Sequence, residues 1–401
     1  MHIDQPETSS SRSGRSTLPF KAYYFCGFAG FALSNTYLNL YFKRNGLSEG
    51  TIGELSAILS ICGVLSPPVW GALADWMGSA RKPNLILMAM TGALFPFFLF
   101  THHILLLFML AALFGSCMSP IIPLTDAAVV SHLKRWGGEY GPVRVWGSIG
   151  FVVALVSIGF ALPAHASAKA SALMPVFVGF TLWRMAGLFW GFRLPEGRRD
   201  GPNRGVSPWR GMKEAAGLFR NRRMFIFILC SFLGWASMQA YYVFFTIYLD
   251  WRRVPDGQKG MFWNVGVVAE ILFLSLSGRV RQRIGYGWML TAGLMAQALR
   301  LLLFSFMAPL WAVALGQSLH AFTFGSFYVA GIAFLHENVP DRLRAGGQAF
   351  FTAIVTGLGG ALGAWGAGTI AHAHGLPAMY RECSFVAMAA CLLSLLVARR
   401  R

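Results

Sequence analysis

The stretch Gly71-Ala-Leu-Ala-Asp75-Trp-Met-Gly78, followed by Arg81 and Lys82, separates two long apolar runs of this 401-residue chain. A related stretch, Gly278-Arg-Val-Arg-Gln282-Arg283-Ile-Gly285, stands at the equivalent place in the second half of the chain. Both follow a G-x-x-x-(D/Q)-x-x-G frame. Its glycines allow two helices to turn within a few residues, and the basic residues anchor the loop at a membrane surface. The frame therefore predicts an internal repeat of helices.

Composition places this repeat in a membrane. Hydrophobic residues make up 55% of the chain and charged residues 12%, whereas soluble domains contain about 25% charged residues. The mean hydropathy is +0.53, which excludes a soluble globular protein and a disordered chain. The net charge is +18. Because the basic residues form short clusters between apolar stretches, we expect them to face membrane lipids rather than nucleic acid.

The predicted fold is an all-α polytopic membrane protein with twelve transmembrane helices, since a bilayer needs about 20 apolar residues per helix. Continuous apolar runs of this length exclude a membrane β-barrel, whose strands alternate. The twelve predicted spans are Phe20–Phe42, Thr51–Ala74, Asn84–Thr101, Ile104–His132, Gly141–Pro163, Ala170–Phe192, Arg223–Leu249, Gly260–Val280, Tyr286–Met307, Pro309–His336, Arg344–Ala373 and Pro377–Ala398.

The distribution of basic residues predicts the orientation of the chain. Of the 34 Lys and Arg residues, 24 lie on the side of both termini, 7 on the opposite side and 3 within spans. Such a bias marks the cytoplasmic side. The longest connection is basic and divides the spans six and six. We therefore predict a cytoplasmic tail 1–19, a six-helix half 20–192, a basic linker 193–222, a second half 223–398 and a cytoplasmic tail 399–401.

The repeated frame resembles the loop motif of the major facilitator superfamily, whose transporters have twelve helices in two six-helix halves. The resemblance runs from about Phe20 to Ala398. Ser79-Ala80 intervene before Arg81, and Gln282 stands where an acid is common. The resemblance implies a gating role for the loop residues Gly71, Asp75, Gly78, Arg81, Gly278, Arg283 and Gly285.

A second set of residues resembles the phenylpropionate permease family and, more distantly, lactose-permease-type sugar/proton symporters. The set is Pro123-Leu-Thr-Asp126-Ala, Tyr140-Gly-Pro-Val-Arg144-Val-Trp-Gly-Ser148, Gly266-Val-Val-Ala-Glu270, Arg300 and Leu319-His320. In the sugar symporters the acid and the arginine that match Asp126 and Arg144 contact the substrate. Those symporters also place an acid one turn after the histidine, where this chain has Thr323.

The residues themselves support two functional sets, because ionisable side chains inside a membrane are expensive and need a partner. Asp126 and Arg144 lie on adjacent antiparallel spans, and we expect them to pair and to exchange that pairing for polar groups of a substrate. A nearby arginine lowers the pKa of a buried glutamate, so a glutamate whose arginine partner can approach or withdraw is able to carry a proton. A histidine can relay that proton. Glu270, Arg300 and His320 are therefore the predicted proton-coupling residues. Static ion pairs and a hydrogen-bonded core histidine are the alternatives.

Aromatic side chains complete the predicted substrate site. Tyr24, Tyr241 and Tyr242 are expected to line a slot for a planar solute, with plain helix packing as the alternative. Arg184 is expected to snorkel to the inner surface without a functional role. The histidines at 102, 103, 372 and 374 have no fixed third ligand, so no metal is expected. No other cofactor is expected either, since the chain has no nucleotide-binding or nucleophile motif.

These features predict a secondary active transporter of a bacterial-type inner (plasma) membrane. It is expected to be a monomer that moves a small organic solute by proton symport and alternating access, with the solute near the midplane. By resemblance the solute is an aromatic carboxylate, and a sugar or nucleoside is the alternative. Proton-coupled efflux is a rival function, and a non-transporting sensor or a membrane enzyme is a rival of another class.

Overall fold

The computed structural model of the chain describes residues 16–196, 214, 216–217 and 221–398, and these described residues contain no β-strand. Short helical turns lie at Ala170–Leu173 and Asp341–Leu343, and a π-helix at Thr352–Leu358. The longer helices are α1 (Leu18–Arg44), α2 (Glu49–Trp76), α3 (Arg81–Phe97), α4 (Ile104–Met118), α5 (Ile121–Trp136), α6 (Gly141–Ala161), α7 (Met174–Gly191), α8 (Arg222–Trp251), α9 (Asp256–Ser305), α10 (Leu310–Ser318), α11 (His320–Asn338), α12 (Arg344–Phe351) and α13 (Gly359–Ala398).

The helices confirm the predicted all-α membrane class. In the described part of the chain, eight helical segments are long and apolar enough to cross a membrane. Two of them turn at a glycine with positive φ, α9 at Gly285 (φ 75°) and α13 at Gly375 (φ 81°). Each arm on either side of these glycines coincides with one predicted span. The count of twelve transmembrane helices stays a prediction.

The predicted tails and linker are covered only in part. The helix α1 begins at Leu18, inside the predicted tail 1–19. Residues 1–15, most of the linker 193–222 and residues 399–401 lie outside the described residues.

Prolines and short turns set the positions of the site residues. The fourth predicted span is interrupted at Ser119-Pro120, between α4 and α5. Because proline has no N–H to donate, its favoured position in a helix is near the start. This break places Asp126 in the second turn of α5. A similar break at Leu319 makes His320 the first residue of α11.

The chain forms two compact units. Unit 1 comprises Met1–Leu33, Leu65–Ala154 and Phe177–Asn203, and unit 2 comprises Ser34–Val64, Leu155–Val176 and Arg204–Arg401. Unit 2 thus contains two stretches that the sequence analysis assigned to the first six-helix half. This grouping follows contacts rather than the sequence repeat, and the six-and-six division stays a prediction.

Each unit has its own apolar core. In unit 1, the ring of Phe95 stacks on that of Phe180 at 4.0 Å and on that of Phe177 at 4.7 Å. In unit 2, Phe227 stacks on Phe334 with ring centroids 3.7 Å apart. Five of the six cysteines are buried and none of the six forms a disulfide, as expected for packing residues. These aromatic cores hold the helices that carry the charged side chains.

Candidate functional site

Asp126 in unit 1 is held by two tyrosine hydroxyls. Tyr24 of α1 and Tyr140, which precedes α6, both donate to Oδ1 of Asp126, Tyr140 at 2.8 Å. Burial, together with the negative charge of Asp126, raises the pKa of Tyr140 to about 12. The tyrosine hydroxyl therefore stays a hydrogen-bond donor throughout the working pH range.

Arg144 takes aromatic partners instead of the predicted carboxylate. Its Cζ lies 4.2 Å from the ring centroid of Phe28 and 5.6 Å from that of Tyr24. Among the described residues no ion pair joins Arg144 to Asp126, so the expected pairing is not made. The physical reason is that the hydroxyls already satisfy the carboxylate, while the guanidinium is stabilised over ring faces. Tyr24 nevertheless contacts both groups and brings them into one cluster.

His320 lies between Arg300 and Glu270 in unit 2. Its Nδ1 is 2.9 Å from Nη1 of Arg300, and its Nε2 is 3.6 Å from Oε2 of Glu270. A guanidinium can only donate, so Nδ1 accepts and the proton of the neutral ring lies on Nε2, towards the carboxylate. The three predicted proton-coupling residues are thus brought together, with the histidine in the middle.

Two of the three tyrosines predicted for substrate binding lie next to Arg300 and His320. Cζ of Arg300 lies 4.1 Å from the ring centroid of Tyr241, which is completely buried. The ring of Tyr242 lies 6.0 Å from that of His320 and nearly perpendicular to it. Arg300 also donates from Nη2 to Oε1 of Gln297 at 3.0 Å. The structure therefore places Tyr241 and Tyr242 beside the predicted proton-coupling residues and Tyr24 beside Asp126.

The two loop frames end in glycines that need their conformational freedom. Gly78 has φ +60° and Gly285 has φ +75°, a region that L side chains rarely adopt. Gly71 and Gly278 begin the frames. At each of these four glycines, an added Cβ would have more than 4 Å of space to the nearest atom of another helix within the described residues. Gly78 and Gly285 thus serve the turn between helices, whereas Gly71 and Gly278 lie inside the helices α2 and α9.

The charged residues in and next to the two frames lie near the ends of their helices. Arg81 bonds to Glu196 and to the carbonyl of Phe192 just beyond α7. Asp75 accepts the backbone N–H of Gly78 on its carbonyl oxygen at 3.1 Å. Arg283 of the second frame is exposed.

Residues 17–381 match the family described as "MFS_1 like family". The chain belongs to this family. It is therefore a multi-pass membrane transporter of the major facilitator superfamily and not an enzyme, which confirms the resemblance stated above.

Individual relatives extend over nearly the whole chain. The maltose permease of Geobacillus stearothermophilus is 24% identical over 95% of this chain and 94% of its own. The probable 3-phenylpropionic acid transporter of Escherichia coli is 24% identical over 83% of this chain and 86% of its own. The crystal structure of the nucleoside transporter NupG superposes with a TM-score of 0.82 at 20% identity, over 96% of this chain and 99% of that one. This likeness shows a shared fold.

The expected snorkelling of Arg184 is wrong for this member of the family. The side chain is 1% exposed, and its Cζ lies 4.8 Å from the ring centroid of Phe180. Its Nη1 donates to the thioether sulfur of Met88 at 3.3 Å and its Nη2 to that of Met118 at 2.8 Å. The long arginine side chain turns inward because Gly30, which has no Cβ, leaves room beside Nε. The guanidinium charge of Arg184 is thus buried next to thioether sulfurs, which are weak hydrogen-bond acceptors.

Several polar residues near the predicted sites were missed by the sequence analysis. Tyr140 was quoted there only as part of a motif, although it donates to Asp126. Gln297 holds Arg300 from the preceding turn of α9. Gln317 is fully buried, one turn before His320. The signal that finds them is a polar residue three or four positions from an intramembrane charge, on the same helix face.

A cluster of four charges at helix ends was also missed. Arg44, Asp250, Asp256 and Lys259 form a buried network in unit 2. From the sequence, Arg44 and Lys259 were counted only among the loop charges of the outer side, and Asp250 and Asp256 were given no role. The signal that indicates this network is the balance of two acids and two bases at the ends of predicted spans, where unpaired charges are normally left in water.

Proposed function

We propose that the protein carries a small organic solute across the inner membrane in symport with protons, by alternating access. The observation that carries this proposal is the placement of His320 between Arg300 and Glu270. Ionisable groups inside a membrane are expensive and mark proton relays and substrate paths. Here a permanent cation, a ring with one proton to give and a carboxylate follow one another in an apolar core.

This arrangement links protonation to the positions of helices. Glu270 lies on the first arm of α9, Arg300 on its second arm and His320 on α11. When Glu270 is ionised, it attracts the Nε2–H of His320. When Glu270 takes up a proton, that attraction is lost. A second proton on the ring removes the lone pair that accepts from Arg300, and the arginine must then find another partner. Each protonation step therefore favours a different helix arrangement.

The residues of unit 1 would bind the solute. The N–H groups of Arg144 match a carboxylate in a bidentate fork, while Phe28 and Tyr24 offer ring faces to a planar solute. This chemistry fits an aromatic carboxylate. Asp126, oriented by two tyrosines, accepts hydroxyl groups equally well, and this fits a sugar or a nucleoside. The relatives named above include transporters for each of these classes.

A ligand screen followed by a transport assay tests the proposal. A true solute raises the unfolding temperature of the purified protein by mass action, so phenylpropionate, maltose and nucleosides are compared first. The stabilising solute is then added to proteoliposomes that contain a pH-sensitive dye. We expect acidification of the lumen together with uptake of labelled solute. Uptake without any proton movement refutes symport, and binding without uptake indicates a sensor.

Direction, orientation and assembly belong to the same proposal. We expect whole cells to gain labelled solute when the protein is expressed, and a loss would instead indicate efflux. Both termini are expected on the cytoplasmic side because of the excess of basic residues there. A tag at either end should then be protected from protease in intact spheroplasts. The protein is expected to run as a monomer in detergent.

A further inference from the structure

Four charged side chains meet in a buried network in unit 2. Arg44, the last residue of α1, binds both oxygens of Asp256, with Nη1 to Oδ2 at 2.9 Å and Nη2 to Oδ1 at 2.6 Å. Its Nη2 also reaches Oδ1 of Asp250 at 2.5 Å. Lys259 binds the same two carboxylates, with Asp250 at 2.9 Å. Two cations and two anions are therefore mutually satisfied.

The burial of this network is nearly complete. The side chains of Asp256 and Lys259 have no exposed surface, that of Arg44 is 3% exposed and that of Asp250 is 22% exposed. Buried charges remain stable only while every partner is in place, because the loss of one leaves another uncompensated. Such a network is therefore strong while it is closed, and it holds its helices in one relative position.

The backbone around the network is equally close. Asn39 on α1 donates from Nδ2 to the carbonyl of Val243 on α8 at 3.2 Å. The N–H of Gly257, at the start of α9, donates to the carbonyl of Pro163 at 3.1 Å. A Cβ on Gly257 would lie 2.5 Å from the carbonyl oxygen of Gly159. Only glycine allows this approach.

The members of the network come from distant parts of the chain. Arg44, Asn39 and residues 159–163 belong to the predicted half 20–192, whereas Asp250, Asp256 and Lys259 belong to the predicted half 223–398. The loop charges assign all these helix ends to the outer side. The contacts therefore join the outer ends of predicted spans from both halves of the sequence.

We propose that the Arg44–Asp250–Asp256–Lys259 network is an outer lock, which Arg44 must leave before a solute enters from outside. Lys259 and Asp256 both lie on α9, and Asp250 lies at the end of the preceding helix α8, which only residues 252–255 separate from α9. Lys259 therefore stays with both carboxylates when α1 moves away. Asp250 and Asp256 then keep a cation, and Arg44 passes into water. The lock can therefore open and close reversibly. The inference rests on the alternating access of the proposed function, but neither on its solute nor on its proton coupling.

The test measures how often the interface between α1 and α8 opens to the outside. Asn39→Cys places a thiol where α1 meets α8, and a membrane-impermeant maleimide is added to intact cells. The labelling rate of the parent protein, which contains six cysteines outside disulfides, is subtracted. Arg44→Met removes the locking cation and keeps an unbranched side chain. Lys43→Met is the matched control, since Lys43 is the neighbouring cation and binds Glu49 at 2.6 Å outside the network.

We expect Arg44→Met to raise the labelling rate about tenfold, because a modest bias of a two-state equilibrium changes a minor population by such a factor. Lys43→Met should leave the rate unchanged. Asp256→Asn should raise the rate as Arg44→Met does, and Arg44→Lys should give an intermediate value.

Equal rates for Arg44→Met and Lys43→Met, with both proteins eluting as folded monodisperse species, overturn the lock. If Arg44→Met does not fold, Arg44→Lys and Asp256→Asn decide, and unchanged rates in both refute it. The assay needs neither solute nor a pH gradient, so its failure is distinguishable from failure of the symport assay.

Discussion

Nη1 of Arg300 lies 2.9 Å from Nδ1 of His320, and this contact sets which ring nitrogen carries the proton. Because the guanidinium only donates, the ring presents its N–H from Nε2 to Glu270. The arginine therefore orients the histidine, and the glutamate is the group at which a proton can be gained or lost without breaking that contact. The first prediction follows from this division of roles.

Glu270→Gln should abolish solute-driven proton movement and leave the equilibrium exchange of solute across the membrane. The amide keeps the size and the hydrogen-bonding capacity of the side chain but cannot ionise. The measurement is the pH change inside proteoliposomes on addition of solute, beside counterflow of labelled solute. Glu54→Gln is the matched control, since Glu54 is an exposed glutamate of α2. Acidification by the Glu270→Gln protein at the parent rate removes Glu270 from the mechanism.

Arg144→Lys should weaken solute binding at least about tenfold, because a point charge cannot replace a planar fork that stacks on Phe28 and binds in two places. Isothermal titration calorimetry gives the affinity. Arg193→Lys serves as the control, since Arg193 also lies over an aromatic ring, with Cζ 3.8 Å from the ring centroid of Phe189. An affinity that is unchanged in the Arg144→Lys protein places the binding site elsewhere.

Tyr140→Phe should reduce the affinity for solute about fivefold, since one hydrogen bond contributes about 1 kcal/mol. Asp126 keeps the bond from Tyr24, so the fold should survive. The pKa of Tyr140, raised to about 12, also predicts the pH dependence. A group with a raised pKa keeps its protonated form until the pH approaches that value, so this bond should not weaken between about pH 7 and 10. Equal affinity of Tyr140→Phe and the parent contradicts the role given to this hydroxyl.

Arg184→Met should stabilise the protein by about 1–4 kcal/mol or leave its stability unchanged, because an unbranched apolar side chain replaces a buried charge that makes no ion pair within the described part of the chain. The unfolding temperature in detergent measures this effect. Arg184→Ala is the comparison and should lower the unfolding temperature, since it leaves a cavity between Met88 and Met118. Loss of transport in a stable Arg184→Met protein would give Arg184 a functional role.

Much of the fold was predictable because a bilayer imposes a simple rule on sequence. Each predicted span is helical, since a backbone in lipid must satisfy its own hydrogen bonds. Gly78 and Gly285 close the repeated frame and adopt positive φ where the chain turns. The π-helix Thr352–Leu358 was not predicted, because glycine-rich segments carry no sequence pattern that separates α from π hydrogen bonding.

The charged members of the candidate site were predictable, whereas their pairing and their neutral partners were not. Asp126, Arg144, Glu270, Arg300 and His320 were found because charges are rare in apolar spans. Their partners depend on helix rotation, which apolar periodicity leaves open when a helix is hydrophobic on all sides. Asp126 consequently binds two tyrosines, and Arg300 reaches His320.

The sequence by itself determined that this chain is a helical membrane transporter, and it also determined which charged residues lie within the spans. Polar groups are costly in lipid, so membrane spans are apolar and the few charged residues within them stand out. Only the tertiary structure decided that Arg184 turns inward and that Arg44 binds Asp250 and Asp256. Those outcomes depend on which side chains a neighbouring helix presents within a few ångströms, and residues more than 200 positions apart in the chain meet there.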